Sequence, residues 1–402
     1  MVSAARKFSM LNRSLLGAIA LTLIFSAPAT AKIYGDKPLN ISTATDGGPA
    51  NGPSSQPVIS GDNRFSRLVA FTSSASNLVA ADSNQASDIF VWTRPTGRAA
   101  NKLDRIGIGT TSLVSVSNSG GQANGESSNP SIDGSMRKSP RCVAFQSRAT
   151  NLVAGDDTPD WDIYVRDLRK RTTSLASAGV VGDAVTPSIA GDCSQLVFSA
   201  GSVVYRSPAK AWNALGVVRT KLKSIGPGTT PRLSLEGTTV VWHGPAGVRF
   251  LTRGKRARTI GSGALPWASD LDRVGGWGIT FQSGDNVLSR RVTRKGRITT
   301  RAKITNATFG GSTAYVPNRG IILYSKRNSL YYFNANSGNS DDLAHGNSPI
   351  TDMYTSARGT MMAFATAGGD KDFIDTTIPG TPIRHQSIYI KLLPVVGCGT
   401  GC

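Results

Sequence analysis

The chain has 402 residues, with 45 Lys and Arg against 25 Asp and Glu, 44 Gly, 20 Pro and only three His. This composition excludes a mainly helical protein: beyond the N-terminal apolar run no amphipathic segment of helical length occurs, and short strands joined by turns are expected instead. A net charge of +20 points away from basic partners and towards anionic ones.

In chain order, the first segment carries Arg6, Lys7 and Arg13, then the apolar run LLGAIALTLIFSA, then APATA before Lys32. That is the charged, apolar and small-residue order of a secretory signal, so residues 1–31 are expected to be removed and the remainder exported to the periplasm or the extracellular space. Nothing downstream is long and apolar enough to span a bilayer. Residues 32–393 are expected to form one repetitive β domain, and residues 394–402 a tail containing two cysteines.

The repeat is visible directly. RLVAFTSSASNLV at residues 67–79 matches RCVAFQSRATNLV at 141–153, an offset of 74, and GGPANGPSSQP at 47–57 matches GGQANGESSNP at 120–130, an offset of 73. The one-residue change falls in a turn, where an insertion costs little. Aligning the aromatic that ends each apolar triplet extends the register to Phe71, Phe145, Phe198, Trp242, Phe281, Tyr324 and Phe364, with spacings of 74, 53, 44, 39, 43 and 40. These approach the period of about 40 to 50 residues of a four-stranded propeller blade. Most copies also carry an x-Pro step upstream of the triplet, as in NPSIDG, TPSIAG and TPRLSLEG.

Each copy implies four short strands of alternating polarity. A single such sheet cannot bury its apolar side, and radial packing of neighbouring sheets solves that problem. The expected fold is therefore an all-β propeller of seven four-stranded blades, with six or eight as alternatives. The last copy has only three strands, while LNISTATDGG near residue 39 matches the fourth-strand segment SLVSVSNSGG of the first copy. An N-terminal strand at about residues 39–46 is thus expected to complete the last blade and remove a free edge.

The order P-S-I-D-G, C-V-A-F-Q-S, D-I-Y-V-R-D-L at residues 130–168 resembles the TolB-like, WD-like propeller repeats of exported bacterial cell-envelope proteins. The resemblance runs through almost all of the chain after residue 32 and implies a non-catalytic, monomeric binding scaffold. Its expected partner is a protein or an acidic envelope polymer, with peripheral membrane contact as a further option. Nucleic acid suits the charge but not the exported address, and no aromatic-interleaved recognition module is present.

Four features carry candidate chemistry. The loops after NLVA hold Asp82, Asn84 and Asp88 in copy one and Asp156 and Asp162 in copy two, oxygen-rich sets that could hold Ca²⁺. Neither set has the turn glycine or bidentate Glu of an EF-hand, and Asp or Asn also fixes such loops by bonding local backbone. No other cofactor is indicated. Cys142, Cys193, Cys398 and Cys402 are an even set in an exported chain, and the repeat register favours Cys142 with Cys193 and Cys398 with Cys402.

Residues 201–303 hold 19 Lys and Arg against four acids. The runs RGKRAR and RRVTRKGR concentrate this charge in Arg253, Lys255, Arg256, Arg258, Arg290, Arg291, Arg294, Lys295 and Arg297, the expected anionic-partner patch. For catalysis no residue is nominated: there is no H-E-x-x-H, G-x-S-x-G or P-loop, and His243, His345 and His385 lie in different copies. The competing reading, a propeller hydrolase or lyase with its site at the channel mouth, requires acidic and histidine side chains to converge there.

Overall fold

A computed structural model describes residues 38–62, 67–95, 109–135, 138–208, 216–217, 221–270, 276–316, 319–335, 337–345, 348–356, 361–367 and 385–392. The expected signal segment and the Cys398 and Cys402 pair lie outside these residues. Within them the fold is all β and consists of seven antiparallel sheets arranged as a propeller. Blade one is Ser54–Ile59, Leu68–Ser73, Asp88–Thr93 and Thr110–Leu113; blade two is Ser127–Ile132, Cys142–Ser147, Asp162–Asp167 and Thr172–Leu175. Blades three to six begin at Ala184, Thr229, Ala264 and Thr308. Blade two gains an unexpected fifth strand, Gly216–Val217, parallel to its outer edge. No helix among the described residues is long and apolar enough to cross a membrane.

Two sequence signals, the x-Pro step and the aromatic that ends the triplet, prove to be parts of one structural device. The innermost strand of every blade carries a β-bulge against its neighbour. In blades one to five the bulged pair is x-Pro: Gln56-Pro57, Asn129-Pro130, Thr186-Pro187, Thr230-Pro231 and Leu265-Pro266 lie opposite Phe71, Phe145, Phe198, Trp242 and Phe281. Proline has no N–H to give a ladder, so it sits where the bulge already breaks the ladder. The residue before it takes a left-handed conformation, with φ of 54° at Gln56, 53° at Asn129 and 55° at Thr186. Blade seven builds the same bulge without proline, with Asp352 at φ 48° opposite Phe364.

The aromatics opposite the bulges also organise the core. Each pairs across to the third strand, and Phe71–Phe90, Phe145–Tyr164, Phe198–Tyr205, Tyr324–Tyr331 and Phe364–Tyr389 stack at 5.3 to 5.9 Å. Alternate residues of each strand face opposite neighbours. Val69 and Phe71 pack towards blade seven, while Ala70, Ile89 and Val91 pack towards Val143 and Phe145 of blade two. The result is seven apolar clusters, one between each pair of adjacent blades, which makes the ring itself the hydrophobic core.

Closure occurs as expected, with a strand of only Leu39–Asn40 in place of the expected 39–46. The three strands Ile350–Thr355, Met361–Thr366 and Ser387–Leu392 receive Leu39–Asn40 as their fourth, with Leu39 opposite Ile390. In blades one and two the first residue of the third strand is Asp88 or Asp162; Ser115 and Ser177, just after the fourth strand, donate to these carboxylates and accept the N–H of Ile89 at 3.1 Å and of Ile163 at 2.9 Å. In blade seven Ser42 accepts the N–H of Ile388 at 2.8 Å, the same bond supplied from the other end of the chain.

The cysteine expectation also holds for the described pair. Cys142 opens the second strand of blade two, Cys193 lies in the turn before the second strand of blade three, and they form a disulfide with Cα atoms 5.9 Å apart. A bridge between blades fits an oxidising compartment. Asp133 lies beside it and accepts N–H bonds from Arg141 at 2.6 Å and Cys142 at 2.8 Å. At the equivalent turn, Ser60, Ser234 and Ser356 perform this task with a hydroxyl, each accepting an N–H at 3.1 Å.

Burial raises the Asp133 carboxyl to about 7. The native state therefore keeps a proton that the unfolded chain releases near pH 4. This contribution to stability is fully present below about pH 4, is lost as pH rises to about 7, and is constant above that. Asp133→Ser, the residue used by three other blades, is expected to make the fall in stability between pH 4.5 and 7.5 shallower, the remainder coming from Asp88 and Asp156. Urea midpoints at both ends of that window check this; an unaltered pH slope in the variant would count against it.

Candidate functional site

The antiparallel order gives the propeller two distinct faces. The loops joining second to third strands lie at one end of every sheet; they are longest in blades one, two and seven, which closure makes neighbours. The turns joining first to second and third to fourth strands lie at the other end. The acidic loops belong to the first face and the basic runs to the second.

In the acidic loops the carboxylates contact their own hairpins. The Asp88 oxygens take Ser115 Oγ–H and Asn84 Nδ2–H, the latter at 2.8 Å, and Asn84 also donates to Ala123 O at 2.9 Å. Asp156 lies against the Tyr164 hydroxyl, which also reaches Ala149 O. Burial pushes both Asp88 and Asp156 up to about 6, and burial likewise raises Asp82 and Asp162. Asp88 and Asp162 occupy equivalent places in separate blades, so the structure does not bring the two sets together. Among the described residues, metal-ligand atom types come together at Asp133, Cys142 and Cys193, whose sulfurs are already bonded to each other.

The basic runs do converge. RGKRAR forms the turn between the third and fourth strands of blade four, and TRKGR forms the same turn of blade five. Arg258 joins them: its Nη1 donates to Gly296 O at 2.7 Å, and its guanidinium lies 5.8 Å from the Phe250 ring centroid. Arg290 donates to Ile260 O across the same blade boundary. Around these two anchored cations, Arg253, Lys255, Arg256, Arg294, Lys295 and Arg297 are exposed. Arg206 of blade three lies near enough to Arg253 for the like charge to help lower its pKa, after burial. Among the described residues no carboxylate forms an ion pair with any of the nine expected patch cations.

A second site was not legible in the sequence. The innermost strands enclose a channel cavity of about 340 Å³. Its mouth on the long-loop face is formed by the bulged residues. There Gln56 Nε2 donates to Asn129 Oδ1 at 3.0 Å, Asn129 Nδ2 donates to Gln146 Oε1 at 3.0 Å, and Thr186 N donates to the same Gln146 oxygen at 2.9 Å. Gln56 N also reaches Asp352 Oδ2 at 3.3 Å. This chain covers an arc from blade seven to blade three, while Leu265, 49% exposed, makes the blade-five side of the mouth apolar.

Two residues further along each strand the lining changes to Val58, Ser131, Ser188, Arg232, Trp267 and Tyr354. Ser131 and Ser188 accept N–H bonds from Ile189 and Leu233 of the next blades, at 3.0 and 2.9 Å. Trp267 and Tyr354 meet edge to face at 5.1 Å. Burial lowers the Arg232 pKa, and burial pushes the Tyr354 phenol up to about 12, so the phenol keeps its proton at neutral pH.

No histidine lines this cavity among the described residues, and its two acids, Asp352 and Glu236, stand at opposite ends of the inner strands. His345 instead contacts Asp342 at 2.8 Å on the outer strand of blade six.

No family profile matches the sequence, and no curated protein matches it. Solved structures do share its architecture. An oligogalacturonate lyase from Vibrio parahaemolyticus matches with a TM-score of 0.51 and 10% identity over 88% of this chain and 96% of its own. The β-propeller domain of Cps50 (Swd1) from Myceliophteria thermophila matches with a TM-score of 0.52 and 10% identity over 87% and 98%. An oligogalacturonate lyase in complex with manganese matches with a TM-score of 0.50 and 10% identity over 86% and 92%. At this identity the likeness concerns the fold alone: the chain is a seven-bladed β-propeller.

Proposed function

We propose that the protein is an exported, TolB-like binding scaffold that holds an anionic cell-envelope polymer on the turn face of blades four and five. The observation that carries this reading is the fusion of two basic turns through Arg258 and Gly296 into one surface without a pairing carboxylate among the described residues. Like charges held this close repel one another, and a polyanion would relieve that repulsion. Replacing Arg253, Lys255, Arg256 and Arg258 by Gln is expected to weaken binding of a soluble polyanion such as poly-glutamate roughly tenfold at low salt, with a shallower salt dependence than the parent. Fluorescence anisotropy across a salt series reads both; unchanged affinity, or binding indifferent to salt, rejects the reading.

A second reading, a hydrolase or lyase acting at the channel mouth, is favoured by one feature. Asp352, whose pKa burial raises, stands beside Gln56 at the mouth of an open cavity. Turnover of an oligogalacturonate or another glycan by the protein, abolished by Asp352→Asn, would select this reading over the first.

A further inference from the structure

The channel holds an unusual pairing of groups. Arg232 is half-buried and lines the cavity; its Nη1 donates to Pro231 O at 3.3 Å, and no carboxylate pairs with it among the described residues. A guanidinium withdrawn from bulk water without a counter-charge is costly, and an anion in the cavity removes that cost. Tyr354 lies close to Arg232 at the same depth of the channel, and no hydrogen bond of its hydroxyl is seen among the described residues. The other polar groups at this depth, Ser131 and Ser188, already accept backbone bonds.

The blade-five wall is apolar and aromatic. Trp267 presents its ring beside Tyr354, and Leu265 continues the surface to the mouth. A volume of about 340 Å³ is at the small end of ligand cavities. Charge restricts the guest further: one guanidinium is flanked along the channel by Asp352 at one end and Glu236 at the other, which disfavours a dianion such as a phosphate monoester.

From this geometry we propose that the channel binds a small organic monocarboxylate with a flat apolar body, its carboxylate on Arg232 and the Tyr354 hydroxyl and its body against Trp267 and Leu265. The site lies in the channel, apart from the basic turns of blades four and five, and binding there requires no turnover.

Phenylacetate and 2-naphthoate, each with its carboxamide, serve as probes for the full exported chain, with calorimetry and tryptophan fluorescence as readouts. Both carboxylates are expected to bind at least about tenfold more tightly than the amides, the scale of a charge-assisted hydrogen-bonded pair. Arg232→Gln should abolish that preference while leaving amide binding within about threefold, Tyr354→Phe should reduce it partially, and Trp267→Phe should remove the fluorescence response.

The quadruple Gln variant of residues 253–258 should leave all of these unchanged. Should Arg232→Gln fail to fold, the wild-type carboxylate-to-amide ratio and Tyr354→Phe still decide. Equal binding of acids and amides, carboxylate affinity that survives in Arg232→Gln, loss of binding in the basic-turn variant, or no binding by any probe would each overturn the proposal.

Discussion

Deletion of residues 32–48 is expected to abolish the cooperative unfolding transition of the whole propeller, an effect far larger than the size of the segment suggests. The deleted strand supplies Leu39 and Ile41, 5% and 2% exposed, to the cluster between blades seven and one. Burial of two such side chains is worth about 3 to 6 kcal/mol, a large share of the net stability of a folded domain. The deletion also leaves the backbone of Ser387–Leu392 as an open edge, since Ile41 N donates to Ile388 O at 2.9 Å and Ser42 Oγ accepts the N–H of Ile388. Blade seven is left with three strands, and its boundary with blade one loses two of its buried side chains. Calorimetry and circular dichroism read the outcome, and an unchanged melting transition would show that closure does not hold the ring. Ser42→Ala is the graded control: it leaves one buried N–H unpaired and should cost about 1 to 3 kcal/mol while preserving cooperativity.

Replacing both Cys142 and Cys193 by Ala should lower stability by about 4 kcal/mol, because the disulfide closes a loop of 51 residues in the unfolded chain. With an unfolding entropy of about 2.1 cal/mol/K per residue over roughly 360 residues, that corresponds to a Tm lower by about 5 °C. Both sulfur atoms belong to residues packed between blades two and three, in the cluster with Ile163, Leu196 and Phe198. Part of the loss would therefore come from packing, and reduction of the native protein without substitution separates the two contributions. A Tm that moves under neither treatment would show that the blade contacts hold this boundary unaided.

The blade count, the closing strand and the Cys142–Cys193 bridge were all legible in the sequence, and for a common reason. A repeat forces every copy to solve the same local problem, so one alignment on Phe71 and Phe145 transfers turn and strand to all seven. The Asp88 and Asp162 contacts follow the same logic, because Ser115 and Ser177 each come just after the fourth strand of their blade. The x-Pro steps were visible as punctuation. Their role as bulges facing the aromatics was not, because proline marks where a ladder breaks without saying what stands opposite.

The patch and the channel mark the boundary between chain and fold. Composition and spacing determined an all-β repeat, an excess of positive charge in residues 201–303 and the blades to which RGKRAR and RRVTRKGR belong. Only the tertiary structure decided that those runs, nearly 40 residues apart in the chain, meet through Arg258 and Gly296 on one face. It also decided that Arg232, Trp267 and Tyr354 share one cavity. Their blades are separate in sequence, and neither charge nor hydropathy distinguishes an inner-strand residue that faces the axis from one that faces a neighbouring blade. That distinction arises from the bulge, which turns the strand, and from the closed ring, which brings seven such strands around one axis.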